Sequence, residues 1–205
     1  MTTRLLHLVA SPRGARSRSG AVAAHLIGQM TDLTVETLDL FTASLPEFDG
    51  AVIDARYALI NGETVPAAAE ADWRSIEQRI AHFLSFDAWL ISTPMWNFGI
   101  PYRLKQYIDL ITQPGLAFSV SAEGAVEGRA KGTAIILAAG AMDTTPGSPL
   151  AHMDFQAAYL ETWLRFIGVS SIHTLRIQPT YGSAETVEAA MQTAFAEADA
   201  LAAAL

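Results

Sequence analysis

Ala88-Trp89-Leu90-Ile91-Ser92-Thr93-Pro94-Met95-Trp96-Asn97-Phe98-Gly99-Ile100-Pro101 joins an apolar run to a loop of aromatics and an amide held between two prolines. The run from Ala88 to Thr93 is apolar nearly throughout, as a parallel strand covered on both faces must be. A helix opens at Pro101, where proline's fixed φ suits a first turn. The strand, the rigid loop and the following helix place a platform at the carboxyl end of a central strand, where open α/β sheets hold their ligands. An aromatic and amide surface there suits a flat, hydrogen-bonding ring.

On either side of this stretch the same alternation repeats. Arg4 to Ala10 reads as a strand, Ser19 to Met30 as a helix with Val22, Leu26, Ile27 and Met30 on one face, and Thr34 to Leu40 as the second strand. Glu70 to Phe86 carries Trp73, Ile76, Ile80, Phe83 and Leu84 at helical steps and leads into the third strand at Ala88. Tyr102 to Thr112 is helical, with Lys105 and Asp109 one turn apart. Thr133 to Ala139 is the fourth strand, Leu150 to Ile167 a helix ended by Gly168, Ser171 to Gln178 the fifth strand, and Ser183 to Leu205 a terminal helix. Five strands alternating with five helices predict right-handed crossovers and a parallel sheet covered on both faces, an α/β fold. Two connections, Phe41 to about Ala69 and Gln113 to Lys131, are longer than the usual few residues. Both are read as falling beyond the carboxyl ends of strands, where long excursions are often functional.

Composition narrows the function classes. The 205 residues suit one domain with a full core, 51% being apolar and 17% charged. A net charge of −8 argues against nucleic acid or an anionic membrane as partner. The chain has no cysteine, which excludes disulfides, thiol catalysis and thiolate metal sites. His7, His25, His82, His152 and His173 are scattered without metal-ligand spacing, so no metal is expected. Neither a signal-peptide core nor a membrane-length apolar run is present, and a cytoplasmic protein is expected.

Two further motifs carry chemistry. Ser11-Pro12-Arg13-Gly14-Ala15-Arg16-Ser17-Arg18-Ser19-Gly20 joins the first strand to the first helix. Its hydroxyls and free amides lie at a helix N-terminus, where an anion is favoured, and Arg16 and Arg18 add charge. Capping alone would account for Ser17 or Ser19 but does not require so long a loop. The loop matches neither the triphosphate nor the dinucleotide glycine pattern, which points to a single phosphate. Ala138-Ala139-Gly140-Ala141-Met142 follows the fourth strand, and small residues there allow close backbone approach to a ligand. Small residues are also ordinary in strand-end turns.

Taken in order, these blocks resemble the FMN-dependent NADH:quinone oxidoreductases, or azoreductases, of the flavodoxin-like superfamily. The resemblance rests on Pro94 to Pro101 with Leu104-Lys105 and Ile108-Asp109, on Asp154-Phe155-Gln156 through Tyr159-Leu160 to Phe166-Ile167-Gly168, and on Gly115 to Phe118, Glu123-Gly124, Gly128 and Lys131-Gly132. It implies a flavodoxin-like three-layer fold over residues 1–205, with strand order 2-1-3-4-5. It also implies FMN with its phosphate at Ser11 and Ser17-Arg18-Ser19. The ring would lie on Pro94, Met95, Trp96, Asn97 and Phe98, with Ala139, Gly140, Ala141 and Met142 closing its pyrimidine side. Trp96, Phe118 and Phe155 would line the substrate pocket. NADH or NADPH would be the donor, and a quinone or, more slowly, an azo compound the acceptor. The family is typically homodimeric, with active sites at the subunit interface. Azoreductases commonly carry a serine and paired glycines where this chain has Ala139 to Met142, and many carry tyrosine where it has Trp96. These departures bear on substrate range more than on flavin binding. The alternative is a flavodoxin-like one-electron carrier without a nicotinamide site, with which the acidic charge is compatible.

Overall fold

A computed structural model describes residues 2–205, and in it the five expected strands form one sheet. In chain order the elements are β1 Thr3–Val9, α1 Arg18–Gln29, β2 Leu33–Asp39, α2 Gly50–Ile60, α3 Glu70–Leu84, β3 Ala88–Pro94, α4 Tyr102–Ile111, β4 Phe118–Val120, β5 Val126–Gly128, β6 Thr133–Ala139, α5 Phe155–Phe166, β7 Ser171–Ile177 and α6 Ala184–Ala204. The sheet has five strands in the order β2-β1-β3-β6-β7, all parallel. This is the flavodoxin-like order expected of the chain once the hairpin β4–β5 is set aside. The chain leaves β1 toward β2 and leaves β3 toward β6, so a crevice opens between the carboxyl ends of β1 and β3.

Side chains alternate across the sheet and give it two cores. On one face Leu5, Leu90, Ile135, Leu137 and Ile177 pack on Val22, Ala23 and Leu26 of α1 and Met191, Ala194 and Ala198 of α6. On the other, Leu6, Leu8, Trp89, Ile91 and Ile136 pack on α2, α3, α4 and α5. Trp89 is fully buried, stacks on Phe83 at 5.0 Å and donates its indole N–H to the Phe83 carbonyl. The pairing expected along α4 forms, with Lys105 Nζ 2.6 Å from Asp109 Oδ1. No helix among the described residues is long and apolar enough to cross a membrane.

The two long connections depart from expectation. Among the described residues there are six α-helices, because residues 41–69 contain α2, whose N-terminus is capped by Asp49 accepting from Val52 N. Periodicity missed it because apolar residues lie on every side, from Val52 and Ala55 inward to Ile53, Tyr57, Leu59 and Ile60 outward. The chain before α2 is strapped to α4, where Arg103 donates to the carbonyls of Leu40 and Ala43 and Gln106 to that of Pro46. Residues 113–131 contain the antiparallel hairpin β4–β5, with strands of three residues, too short for alternation to register. Its foot crosses the end of α5. A Cβ on Gly128 would lie 1.9 Å from the carbonyl carbon of Ile167, so only glycine fits there. Finally, α5 starts at Phe155 rather than Leu150, capped by Asp154, whose other oxygen accepts from Arg176 at 2.8 Å.

Candidate functional site

The carboxyl ends of β3 and β6 finish level, with Pro94 opposite Ala139. There the loop after β1, the platform after β3 and the turns after β6 and β7 enclose a cavity of about 190 Å³. One wall is the N-terminus of α1. Ser17 caps it, its hydroxyl accepting from Gly20 N at 3.1 Å, and lies 3.4 Å from the hydroxyl of Ser19. Ser11, Ser17 and Ser19 are all buried. The N–H groups of Arg18 and Ser19 belong to the first helical turn and have no helical acceptor. Arg18, half-buried, and Arg13 also line the cavity, while Arg16 does not.

Pro94, Met95 and Trp96 form the second wall. Met95 N donates to the Ala139 carbonyl at 2.6 Å, which joins the platform to the third wall. Trp96 and Gly99 exchange both backbone hydrogen bonds, at 2.9 and 3.0 Å, around Asn97 and Phe98. Both central residues have positive φ, 48° and 72°, the geometry of a type I′ turn. Such a conformation costs an asparagine little, but for a phenylalanine it is a strained state of about 1–3 kcal/mol. The turn spends its outer N–H groups on itself and leaves those of Asn97 and Phe98 without a backbone partner. The side chains of Asn97 and Phe98 stand exposed at its tip and do not line the cavity. Trp96 is flanked edge-on by Phe41 at 5.8 Å and obliquely by Tyr102 at 6.3 Å.

Ala139, Ala141 and Thr180 complete the enclosure, and Gly140 and Met142 lie outside it. Gly140 makes room for the Gln178 amide, whose nitrogen would lie 2.7 Å from a Cβ there. The sequence reading missed Arg13, Thr180 and Gln178. Arg13 lay within the loop already singled out, and the other two follow the fifth strand, an end that the rule for open sheets would have flagged.

The three residues expected to line a substrate pocket are not brought together. Trp96 lines the small cavity. Phe118 is buried against Phe166 with ring centres 4.7 Å apart, because β4 turns that face inward. Phe155 is 61% exposed and lines a separate groove of about 560 Å³ with Ile100, Ala158, Tyr159, Lys105 and Thr162. The cavity and the groove meet at the Trp96–Gly99 turn, each lined by one of its ends. Burial, and secondarily the Asp109 carboxylate, push the Tyr159 phenol up to about 12, so it stays a neutral donor. Beneath the cavity, His7 Nε2 lies 2.9 Å from the buried Ser92 hydroxyl, and burial lowers its pKa to about 4.

Residues 3–202 match the model of a family described as having a flavodoxin-like fold. An FMN-dependent NADH:quinone oxidoreductase of Desulfotalea psychrophila is 41% identical over 98% of this chain and 96% of its own. A protein of the same name, numbered 2, from Pseudomonas syringae pv. tomato is 37% identical over 98% of each chain. Among solved structures, an azoreductase of Bacillus anthracis superposes with a TM-score of 0.87 at 21% identity, over 99% of this chain and all of that one. An FMN-dependent NADH-azoreductase of the same species, solved with FMN, gives 0.83 at 22% identity, over 98% and 99% of the two chains. The fold, the order of its strands and these relatives agree, and the chain belongs to the flavodoxin-like family, among the FMN-dependent NADH:quinone oxidoreductases.

Proposed function

We propose that this chain is a single FMN-binding domain over residues 1–205 that takes two electrons from NADH or NADPH and delivers them to quinones and, secondarily, to azo compounds. The observation that carries the reading is the cavity in which the N-terminus of α1 faces the Pro94–Trp96 platform. FMN, when bound, supplies reversible two-electron chemistry, and the protein supplies position and electrostatics. The residues fit that group. Three buried hydroxyls, two free N–H groups and two arginines form a site for a phosphate dianion. Gly20 leaves the cap serine in place, since a Cβ there would press on Ser17 Cβ at 3.1 Å.

Ser17, Ser19 and the N–H groups of Arg18 and Ser19 hold the phosphate, with Arg18 and Arg13 offsetting its charge. Pro94, Met95 and Trp96 give the ring a flat seat. The N–H groups of Asn97 and Phe98, free of backbone partners, would be donors for it, and the backbone at Ala139 to Ala141 would supply further contacts. The cavity walls carry no carboxylate, histidine or tyrosine, so no side chain there is assigned as acid or base. The donor's product leaves before the acceptor enters, a ping-pong order.

The groove beside Phe155 is the face for a second copy of the chain, and the active unit is a homodimer in the cytoplasm. Phe155, Tyr102, Phe98 and Trp96 are all exposed around it, more apolar surface in one region than a monomer normally shows. The relatives are named as FMN-dependent NADH:quinone oxidoreductases, which speaks against a carrier without a nicotinamide site. The test is the visible spectrum of the FMN-loaded protein without oxygen. NADH should bleach it, a quinone should restore it, and initial rates should give parallel reciprocal plots. A flavin that binds but is not bleached by NADH or NADPH would instead identify the carrier.

A further inference from the structure

The loop after β6 is walled into the cavity at Ala139 and Ala141, yet Ala141, Met142 and Asp143 are exposed and belong to no regular element. Beyond Ala139, its anchors include the last residue of β7 and the segment that follows it. Gly140 N donates to the Ile177 carbonyl at 3.2 Å, and the Gly140 carbonyl accepts from Thr180 N at 2.8 Å and Thr180 Oγ1 at 2.9 Å. At the far end, Thr144 is 1% exposed and donates twice to Gln178 Oε1, from its N–H at 2.7 Å and its hydroxyl at 3.0 Å. The Gln178 amide thus spans the loop from the side of Gly140 to Thr144.

Two details show that this span is specific. Gly140 does not have positive φ, so its backbone conformation does not call for glycine. What calls for it is space, since an added Cβ would lie 2.7 Å from Gln178 Nε2 and 3.1 Å from Cδ. Gln178 Nε2 is buried without an acceptor, an unfavourable arrangement that the paired bonds at Oε1 offset. The side chains of Ala139 and Ala141 offer only methyl groups to the cavity, so any polar contact from this loop comes from its backbone. The position of that backbone then depends on Gln178.

We propose that Gln178 is a positioning residue for the flavin site, clamping residues 140–144 in the form that closes the cavity. The proposal rests on the FMN reading above for its ligand, but not for the clamp. In the chain without FMN, Gln178→Ala should speed hydrogen exchange of the Thr144 amide about tenfold while the interior amides of β6 and β7 stay protected, as loss of roughly one charge-neutral hydrogen-bond pair requires. Gln178→Glu keeps the acceptor for Thr144 and should restore that protection. FMN affinity by fluorescence titration should fall about tenfold in Gln178→Ala and to a similar extent in Gly140→Ala, which displaces the same side chain. In the double variant the clash is gone, so the two losses should not add. Additive losses, or FMN affinity unchanged while the loop loosens, would overturn the role in the flavin site. Unchanged exchange at Thr144 in Gln178→Ala would overturn the clamp itself. A wild-type chain that takes up no FMN would overturn the functional reading and the cofactor part of this proposal, leaving the exchange result to decide the clamp.

Discussion

His7 points from β1 to the same side as Leu5, into the core covered by α1, and its ring hydrogen-bonds with the Ser92 hydroxyl. Burial holds its pKa near 4 against 6.5 in a free chain. Between those values the unfolded chain binds a proton that the folded one does not, so stability rises with pH across this window and falls as pH is lowered through it. The full difference is about 3 kcal/mol, an order-of-magnitude figure from 1.36 kcal/mol per pKa unit. We expect the urea midpoint of the wild type to drop between about pH 7 and about pH 5, and His7→Gln to flatten much of that slope. A variant that keeps the whole slope would place the responsible group elsewhere. The sequence gives His7 the same weight as four other histidines. Its burial was legible only through its odd-numbered place beside Leu5 in an apolar strand.

The same distinction between visible pattern and hidden neighbour holds for the elements. α1 and α3 were readable because their apolar residues recur at three and four, and Ser17 was readable as a cap. α2 and the β4–β5 hairpin were not, the first for want of a polar face and the second for want of length. The N-terminus of α1 does two jobs that separate by mutation. Ser17→Ala removes the bond to Gly20 N and should cost the FMN-free protein about 1 kcal/mol, read as a lower melting temperature. Ser19 makes no capping bond, so Ser19→Ala should leave melting nearer the wild type. Each should weaken FMN by about 1.5–3 kcal/mol, roughly ten- to a hundredfold, through a lost charge-assisted bond. Equal FMN affinity in wild type and both variants would mean the phosphate lies elsewhere.

At the scale of the whole molecule, the alternation of strands and helices and the matching blocks made the sheet order legible. What they could not supply was which loops meet. Thr180 and Gln178 come to the site because β6 and β7 end level with β3, a fact of register that local pattern does not carry. Phe118 and Phe155 were drawn to one pocket by proximity to matched motifs, and the packing of β4 on Phe166 separates them. Phe155 instead lines the apolar groove proposed as the face for a second copy. In sedimentation the wild type should be a dimer, and Phe155→Asp should dissociate it by burying a charge in that face. A wild type that sediments as a monomer would remove the dimer from the account. The crossing of the hairpin over α5 offers something different, a guide to grafting. At its foot Gly128 and Gly168 lie backbone to backbone, and a Cβ on Gly168 would come within 2.6 Å of the Gly128 carbonyl oxygen. The foot therefore tolerates no added atom, while the tip from Ser121 to Ala125 is exposed and closed on itself by a bond from Ser121 N to the Ala125 carbonyl. A reporter peptide spliced into the tip would ride on a stalk that is bolted to the body of the protein.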